Sequence, residues 1–406
     1  MQILWGFGGV MVLLGIAYLF SKDKKAINFR TVLGALAIQL TFAFAVLKWE
    51  PGKAALQWGS NKVQQLIGYA SAGINFLFGN LTNGSVEKIG FVFAFQVLTV
   101  IIFFSSLIAV LYRLGIMQWM IRIIGGGLSK LLKTSKAESM SAGANIFVGQ
   151  TEAPLVVRPF INKMTQSEFF AVMTGGMASV AGSTLAGYVL LGVPVDYLIA
   201  ASFMSAPAGL LMAKILVPET KHEEVNNLVD VEKDSETVNV IDAAARGASD
   251  GMSLALNVGA MLLAFIGLIA LVNGILGGVG GWFGYEQLSM EQILGFLLAP
   301  LAFIIGVPWG EAIQAGAFIG QKVVLNEFVA FSAFSPHIEE LSDKTVAIVS
   351  FALCGFANFG TLAILLGGMG GMAPERRPEI ARLGLLSVLG GTLANLLSAA
   401  IAGMLI

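Results

Sequence analysis

Charge is scarce in this chain. Only 12% of its 406 residues are Asp, Glu, Lys or Arg, against 56% hydrophobic residues and a mean hydropathy of +0.81. So little charge cannot cover a water-facing surface of this length, which excludes an ordinary soluble globule and leaves an all-α polytopic membrane protein in the lipid bilayer. The net charge of -1 lacks the basic footprint needed to neutralise phosphates, so nucleic acid is not an expected partner. The single cysteine, Cys354, lies in an apolar run and excludes an intrachain disulfide. His222 and His337 fall in polar connections far apart in sequence, which argues against a histidine-built metal site. A signal-type cleavage pattern is missing too: positive residues (SKDKK) follow the first apolar run, so 1–20 reads as a retained helix.

Apolar runs of spanning length are what the chain has in quantity. They lie at 1–20 and near 31–47, 90–112, 168–190, 195–216, 252–276, 345–368 and 383–405, which predicts eight transmembrane helices. Two further segments are amphipathic. From Arg113 to Lys136, basic residues alternate with Ile116, Trp119, Ile123 and Leu128, as in a helix lying in the membrane interface. From Pro51 to Ala70, Trp58 and Tyr69 offer anchors at headgroup level. A solvated connecting helix is the alternative for each. Most of the 24 Lys and Arg residues fall on one side if the N-terminus is outside, and the acidic connection from Pro218 to Asp250 is then cytoplasmic.

Two stretches, about 137–163 and 287–333, are too broken for a through-going helix and too apolar for a loop in water. The first holds ANIFVGQTEAPLVVRPF, Ala144 to Phe160, between Lys136 and Lys163, so its two ends share the cytoplasmic side and the chain must dip in and return. The second breaks at Pro308 and Gly310, with both ends outside. These read as two opposed re-entrant hairpins. Each is followed by a Gly-rich span and a further span, so 137–216 and 292–405 read as an inverted repeat. Broken backbone at membrane depth is tolerated where it lines a cavity, which is the architecture of secondary transporters.

Ionisable residues at that depth are costly and mark function by default; here they are Glu152, Glu311, Lys322 and Glu327. Gln150, Thr151 and Glu152 would project from the first hairpin. Asn358 and Thr361 are three residues apart and share a helical face, with Phe356 nearby. Carboxylates, carboxamides and hydroxyls without a positive cluster suit a neutral ligand rich in hydroxyl and amide groups. The competing reading makes Glu152 the neutraliser of Arg158 or Lys322. For Lys322 and Glu311 a structural role is favoured, with the lysine as counterion to a carboxylate.

GQTEAPLVVRPF, NEFVAF and CGFANFGTLAILLGG closely resemble the bacterial concentrative nucleoside transporters, and the likeness extends over essentially the whole chain. The resemblance implies a homotrimer in the bacterial inner membrane, with outer scaffold helices holding moving transport domains and a uridine-like nucleoside carried in along a sodium gradient. It implies a division into 1–136 (scaffold and interfacial helices), 137–216 (first transport repeat), 217–286 (cytoplasmic connection and a scaffold helix) and 287–406 (second transport repeat). Nucleobase contacts then fall on Gln150, Thr151, Glu152 and Thr184, and ribose-side contacts on Glu327, Asn358 and Thr361, with Phe356 packing by the sugar or base. The family's sodium site maps to the side chains of Asn145 and Ser179 and the backbone carbonyls of Val148 and Val180, an oxygen set that suits a hard cation. No organic cofactor is implied. Thr184 and Thr361 depart from the familiar Val and Ser. Asn145 and Ser179 also fit small polar residues gluing helices together. Two other functions stay open: proton coupling through Glu152 or Glu327, and an intramembrane hydrolase with those carboxylates as acid and base, for which no nucleophile is recognisable.

Overall fold

A computed structural model describes residues 2–82, 92–220, 237–285 and 287–406. Positions 90 and 91 of the third expected span, His222 and most of the acidic connection lie outside the described residues. The described chain is helical throughout, in the order α1 (Gln2–Leu19), α2 (Phe29–Leu47), α3 (Glu50–Phe78), α4 (Phe93–Gln96), α5 (Leu98–Arg113), α6 (Ile116–Leu132) and α7 (Lys136–Ala144), then a 3-10 helix at Ala153–Lys163. There follow α8 (Gln166–Ala178), α9 (Gly182–Leu190), α10 (Val195–Leu216), α11 (Val240–Gly281), α12 (Met290–Ile304), α13 (Trp309–Val324), α14 (Glu327–Phe334), α15 (Asp343–Leu353), α16 (Thr361–Met372) and α17 (Arg377–Leu405).

The expected spans lie mainly on helix, but 179–181 and 354–360 interrupt two of them. Among the described residues six helical stretches are long and apolar enough to cross a membrane: α2, α4–α5, α8–α9, α10, α11 and α17. The run at 1–20 gives the shorter α1, and 345–368 divides into α15 and α16. The run at 252–276 is the middle of a 42-residue helix that Asn239 caps. At 1.5 Å per residue α11 extends about 63 Å, roughly twice the hydrocarbon thickness, so much of it stands outside the bilayer. The amphipathic segment at 51–70 likewise belongs to a longer helix of 29 residues, on which Trp58 and Tyr69 are exposed as expected.

Local chemistry explains where the helices break. Ser135 and Glu138 form a capping box that starts α7, and Thr165 and Glu168 form another that starts α8. Between them Pro154 and Pro159 lack the N–H of an α-helical ladder, and the chain runs as a 3-10 helix. At Ser179 the backbone becomes extended, which separates α8 from α9.

In the second broken stretch the chain bends at the expected place, by 116° between α12 and α13. A second reversal comes at Leu325 and Asn326, where α13 ends and α14 packs against it. Both α6 and α12 pack against the helix that follows them. Each crosses the next helix at backbone contact: a Cβ on Gly125 would sit 2.8 Å from the Cα of Met140, and one on Gly316 would sit 2.9 Å from the Gly295 carbonyl.

Burial sorts the helices into two groups. The apolar windows of α8–α9 and α10 are each 89% buried within the protomer and that of α17 78%, whereas those of α2, α4–α5 and α11 are 28%, 22% and 17% buried. Thus α8–α9, α10 and α17 sit inside, whereas α2 and α11 carry exposed apolar side chains such as Leu33, Leu263 and Ile266.

Candidate functional site

Two helix breaks meet at the centre. The Phe356 N–H, in the α15–α16 break, donates to the Ser179 carbonyl in the α8–α9 break at 3.1 Å, and the Gly182 N–H donates to the Phe147 carbonyl at 2.9 Å. The first hairpin's turn is thereby hydrogen-bonded to one break, and that break to the other.

The polar cluster forms on the second repeat. Glu327 is the first residue of α14, and Asn326 caps that helix by accepting from the Val329 N–H at 2.9 Å. A carboxylate there faces free N–H groups and the positive end of the helix dipole. Its Oε2 accepts from Asn358 Nδ2 at 3.2 Å, and its Oε1 from the Tyr188 hydroxyl at 3.4 Å. Asn358 Oδ1 in turn accepts from the Thr361 N–H at 2.9 Å, while the Thr361 hydroxyl donates to the Phe356 carbonyl at 2.6 Å. Glu327, Phe356, Asn358 and Thr361 are thus brought together as the sequence leads one to expect.

Tyr188 is the member that sequence reading missed. The available signal was its place four residues after Thr184, one turn along the same face of α9. It is fully buried and stacks on Phe331 with ring centroids 4.4 Å apart. Its hydroxyl is one of two side-chain donors to Glu327, so Tyr188→Phe is expected to weaken nucleoside binding about two- to tenfold in an equilibrium binding assay, the value of one ordinary hydrogen bond. Unchanged affinity would show that the hydroxyl plays no part in orienting the carboxylate.

On the other side Gln150 is buried and its Oε1 has no hydrogen-bond partner. Thr151 leans on α16, since a Cβ on Gly368 would sit 3.0 Å from the Thr151 methyl. Glu152 is exposed and pairs with neither Arg158 nor Lys322. Thr184 is buried and its hydroxyl donates to the Ala181 carbonyl at 2.7 Å, so the polar group that departs from Val is spent locally. Among the described residues no hydrogen bond joins Gln150, Thr151 or Glu152 to the Glu327 cluster. Phe356 is the link between them: its backbone holds Asn358 and Thr361, and its ring lies 4.0 Å from where a Cβ on Gly149 would be.

The cation candidates are equally distinct. Asn145 ends α7, is 1% exposed, and neither atom of its carboxamide has a hydrogen-bond partner. A Cβ on Gly175 would sit 3.1 Å from Asn145 Nδ2, so the amide faces α8. Ser179 is buried with only a long bond, 3.4 Å, to the Gly176 carbonyl; Val180, next in the chain, and Val148, three residues after Asn145, are fully buried. An orphaned buried amide oxygen, a weakly held hydroxyl and extended backbone are the kinds of donor that fit a hard cation. No cluster of His, Cys, Asp or Glu able to hold a metal occurs among the described residues.

Two ionisable residues are placed differently from expectation. Glu311 is not in the interior: it lies at the exposed start of α13 and accepts from the Ser342 N–H at 3.2 Å and the Ser342 hydroxyl at 2.8 Å. Lys322 is 1% exposed, but its hydrogen bond, 2.8 Å long, goes to Asn395 Oδ1 rather than to a carboxylate. An apolar cavity of about 140 Å³ with Phe42, Leu128, Ile146 and Phe203 among its walls offers no polar group to hold such a ligand.

Residues 197–403 match the family model described as Na+ dependent nucleoside transporter C-terminus, 8–81 match the corresponding N-terminus, and 94–194 match a model described as nucleoside recognition. The chain belongs to this family, the concentrative nucleoside transporters, and is not an enzyme. It is 52% identical to the nucleoside permease NupC of Helicobacter pylori over 98% of this chain and 96% of that protein. It is 59% identical to the transporter YutK of Bacillus subtilis over the full length of both. Among solved structures, CNTnw in an inward-facing substrate-bound state is 56% identical, with a TM-score of 0.95 over 100% of this chain and 98% of that one.

Proposed function

We propose that this protein imports nucleosides, of which uridine is the type, in symport with sodium across the bacterial inner membrane, with its N-terminus outside. The observation that carries the coupling is Asn145: a buried carboxamide with both atoms orphaned, at the turn that leads directly into Gln150. Sodium held by the side chains of Asn145 and Ser179 and the carbonyls of Val148 and Val180 would fix that turn. A fixed turn presents Gln150, Thr151 and Glu152 to the nucleobase, with Thr184 as wall. The Glu327 carboxylate and the Asn358 amide, already oriented by their neighbours, take the ribose hydroxyls, Thr361 supports Asn358, and Phe356 packs on the ligand.

The two repeats, 137–216 and 287–406, form the moving part, and 1–136 with 217–286 the frame; three copies assemble through their frames. The two re-entrant hairpins alternate access to the midplane site between them. Coupling requires sodium to favour the nucleoside-competent state over the other.

The test is uptake of labelled uridine into proteoliposomes under an inward sodium gradient, set against an equal choline gradient at constant pH. Accumulation with sodium alone supports the reading; uptake driven by a pH gradient without sodium moves the coupling to a carboxylate, and no uptake of any nucleoside removes the substrate assignment. Asn145→Ala is expected to raise the sodium concentration for half-maximal uptake roughly tenfold, about 1.4 kcal/mol for one lost ligand. An unchanged sodium dependence would remove Asn145 from the ion site.

A further inference from the structure

We infer that Asn395, held by Lys322, is the joint that couples the cation side of the site to the nucleoside side; the inference rests on the sodium-coupled reading above. Asn395 lies on α17, touches no proposed ligand, and is 3% exposed. Its Nδ2 donates to the Ala178 carbonyl at 2.6 Å and to the Cys354 carbonyl at 3.0 Å. Ala178 is the last residue of α8, immediately before Ser179 and Val180 of the cation set. Cys354 caps α15, two residues before Phe356 and four before Asn358 of the nucleoside set. One amide group therefore bridges the free carbonyl ends of two half-helices, each belonging to a different ligand.

Lys322 fixes which way that amide points. Its ammonium donates to Asn395 Oδ1 at 2.8 Å, which leaves the Nδ2 end for the two carbonyls. The C-termini of α8 and α15 both carry negative partial charge, so a cation beside their junction is electrostatically matched. The next residue of α13, Val323, accepts from the Phe359 N–H at 3.2 Å, which anchors α13 to the same break. Gly355 is required by the contact, because a Cβ there would overlap the Asn395 carboxamide. With the Phe356 to Ser179 backbone bond alongside, a shift of either break is transmitted to the other through two connections, and Asn395 supplies the one made by a side chain.

Asn395 is thus a positioning residue, and its test reads the coupling rather than transport alone. Equilibrium binding of labelled uridine to the purified protein is measured in saturating sodium chloride and in choline chloride, and the ratio of the two affinities is the coupling factor. For the wild type a factor in the usual range of about 5 to 150 is expected. In Asn395→Ser, whose hydroxyl cannot reach both carbonyls, and in Asn395→Asp, which pairs with Lys322 but loses both donated bonds, the factor is expected to fall about threefold or more below the wild-type value, the Phe356 to Ser179 bond carrying the remainder. By reciprocity the effect of uridine on sodium affinity falls equally. Asn395→Asp keeps the ammonium paired, so it retains the fold if the serine variant does not. A variant that melts at lower temperature yet keeps the wild-type factor would show a merely structural role and overturn the inference. A wild-type factor of one would instead overturn the sodium reading itself, before any variant is compared.

Discussion

Glu327→Ala is expected to weaken uridine binding by about a hundredfold or more in the presence of saturating sodium. The carboxylate is 5% exposed, sits at the N-terminus of α14, and is oriented by Tyr188 and Asn358. Hydrogen bonds to a charged group contribute about 1.5–3 kcal/mol each, and a ribose offers two hydroxyls to one carboxylate. Alanine removes both bonds and leaves the Asn358 donor and the Tyr188 hydroxyl without their acceptor. Glu327→Gln should fall between the two, since its amide keeps one acceptor but turns an N–H toward an existing donor. Isothermal titration or filter binding with purified protein checks this, and an unaltered uridine affinity in either variant would place Glu327 outside the ligand cavity.

The largest stability effect is expected at the base of the first hairpin. Lys214, near the end of α10 and 6% exposed, forms an ion pair with Glu138 of α7 at 2.6 Å and a second, longer one with Glu219 at 3.7 Å, and donates to the Ser167 hydroxyl at 2.9 Å. Glu138 is 2% exposed and its other oxygen is occupied by the Ser135 N–H. Lys214→Met would strand a buried carboxylate, which costs about 3–5 kcal/mol. A midpoint of thermal unfolding in detergent lower by roughly 5–10 °C is the expected reading. Adding Glu138→Gln removes the stranded charge and should recover most of the loss, because the two residues share one network. A single variant that melts within a degree of wild type would falsify the assignment of the pair as a stabilising one.

The sequence revealed structure wherever the cause was local. Apolar length located most of the long helices, and Pro154 and Pro159 marked the first break. Asn358 and Thr361, expected on one helical face, do meet, but Asn358 lies in the break before α16 and reaches Thr361 by accepting from its N–H. What escaped was long range. Tyr188 meets Glu327 across 139 positions, and Asn395 meets Lys322 across 73 and Ala178 across 217. No periodicity encodes such pairs. The bend at Pro308 stood out more than the reversal at Leu325, because a proline is visible in a sequence whereas the packing of α12 on α13 through two glycines is not. Glu311 and Ser342 show the same limit, since a carboxylate near an apolar run looks interior until its hydroxyl partner at the exposed end is placed.

The unequal burial of the helices implies two different codes for acceptable sequence in one chain. On α11 the side chains of Leu263, Ile266 and Leu271 point away from the protomer's own core, so no packed interior of this chain fixes their shape. A library randomised there among Leu, Ile, Val and Phe should return more working transporters than one placed in the core. On α17 a single methyl added at Gly391 would stand 2.5 Å from the Met177 side chain, and one at Gly390 would stand 2.8 Å from Thr174. The same library placed on α17 should return almost none, so the wall between permissive and strict vocabulary follows the division between the buried and the outward-facing helices rather than the boundary between membrane and water.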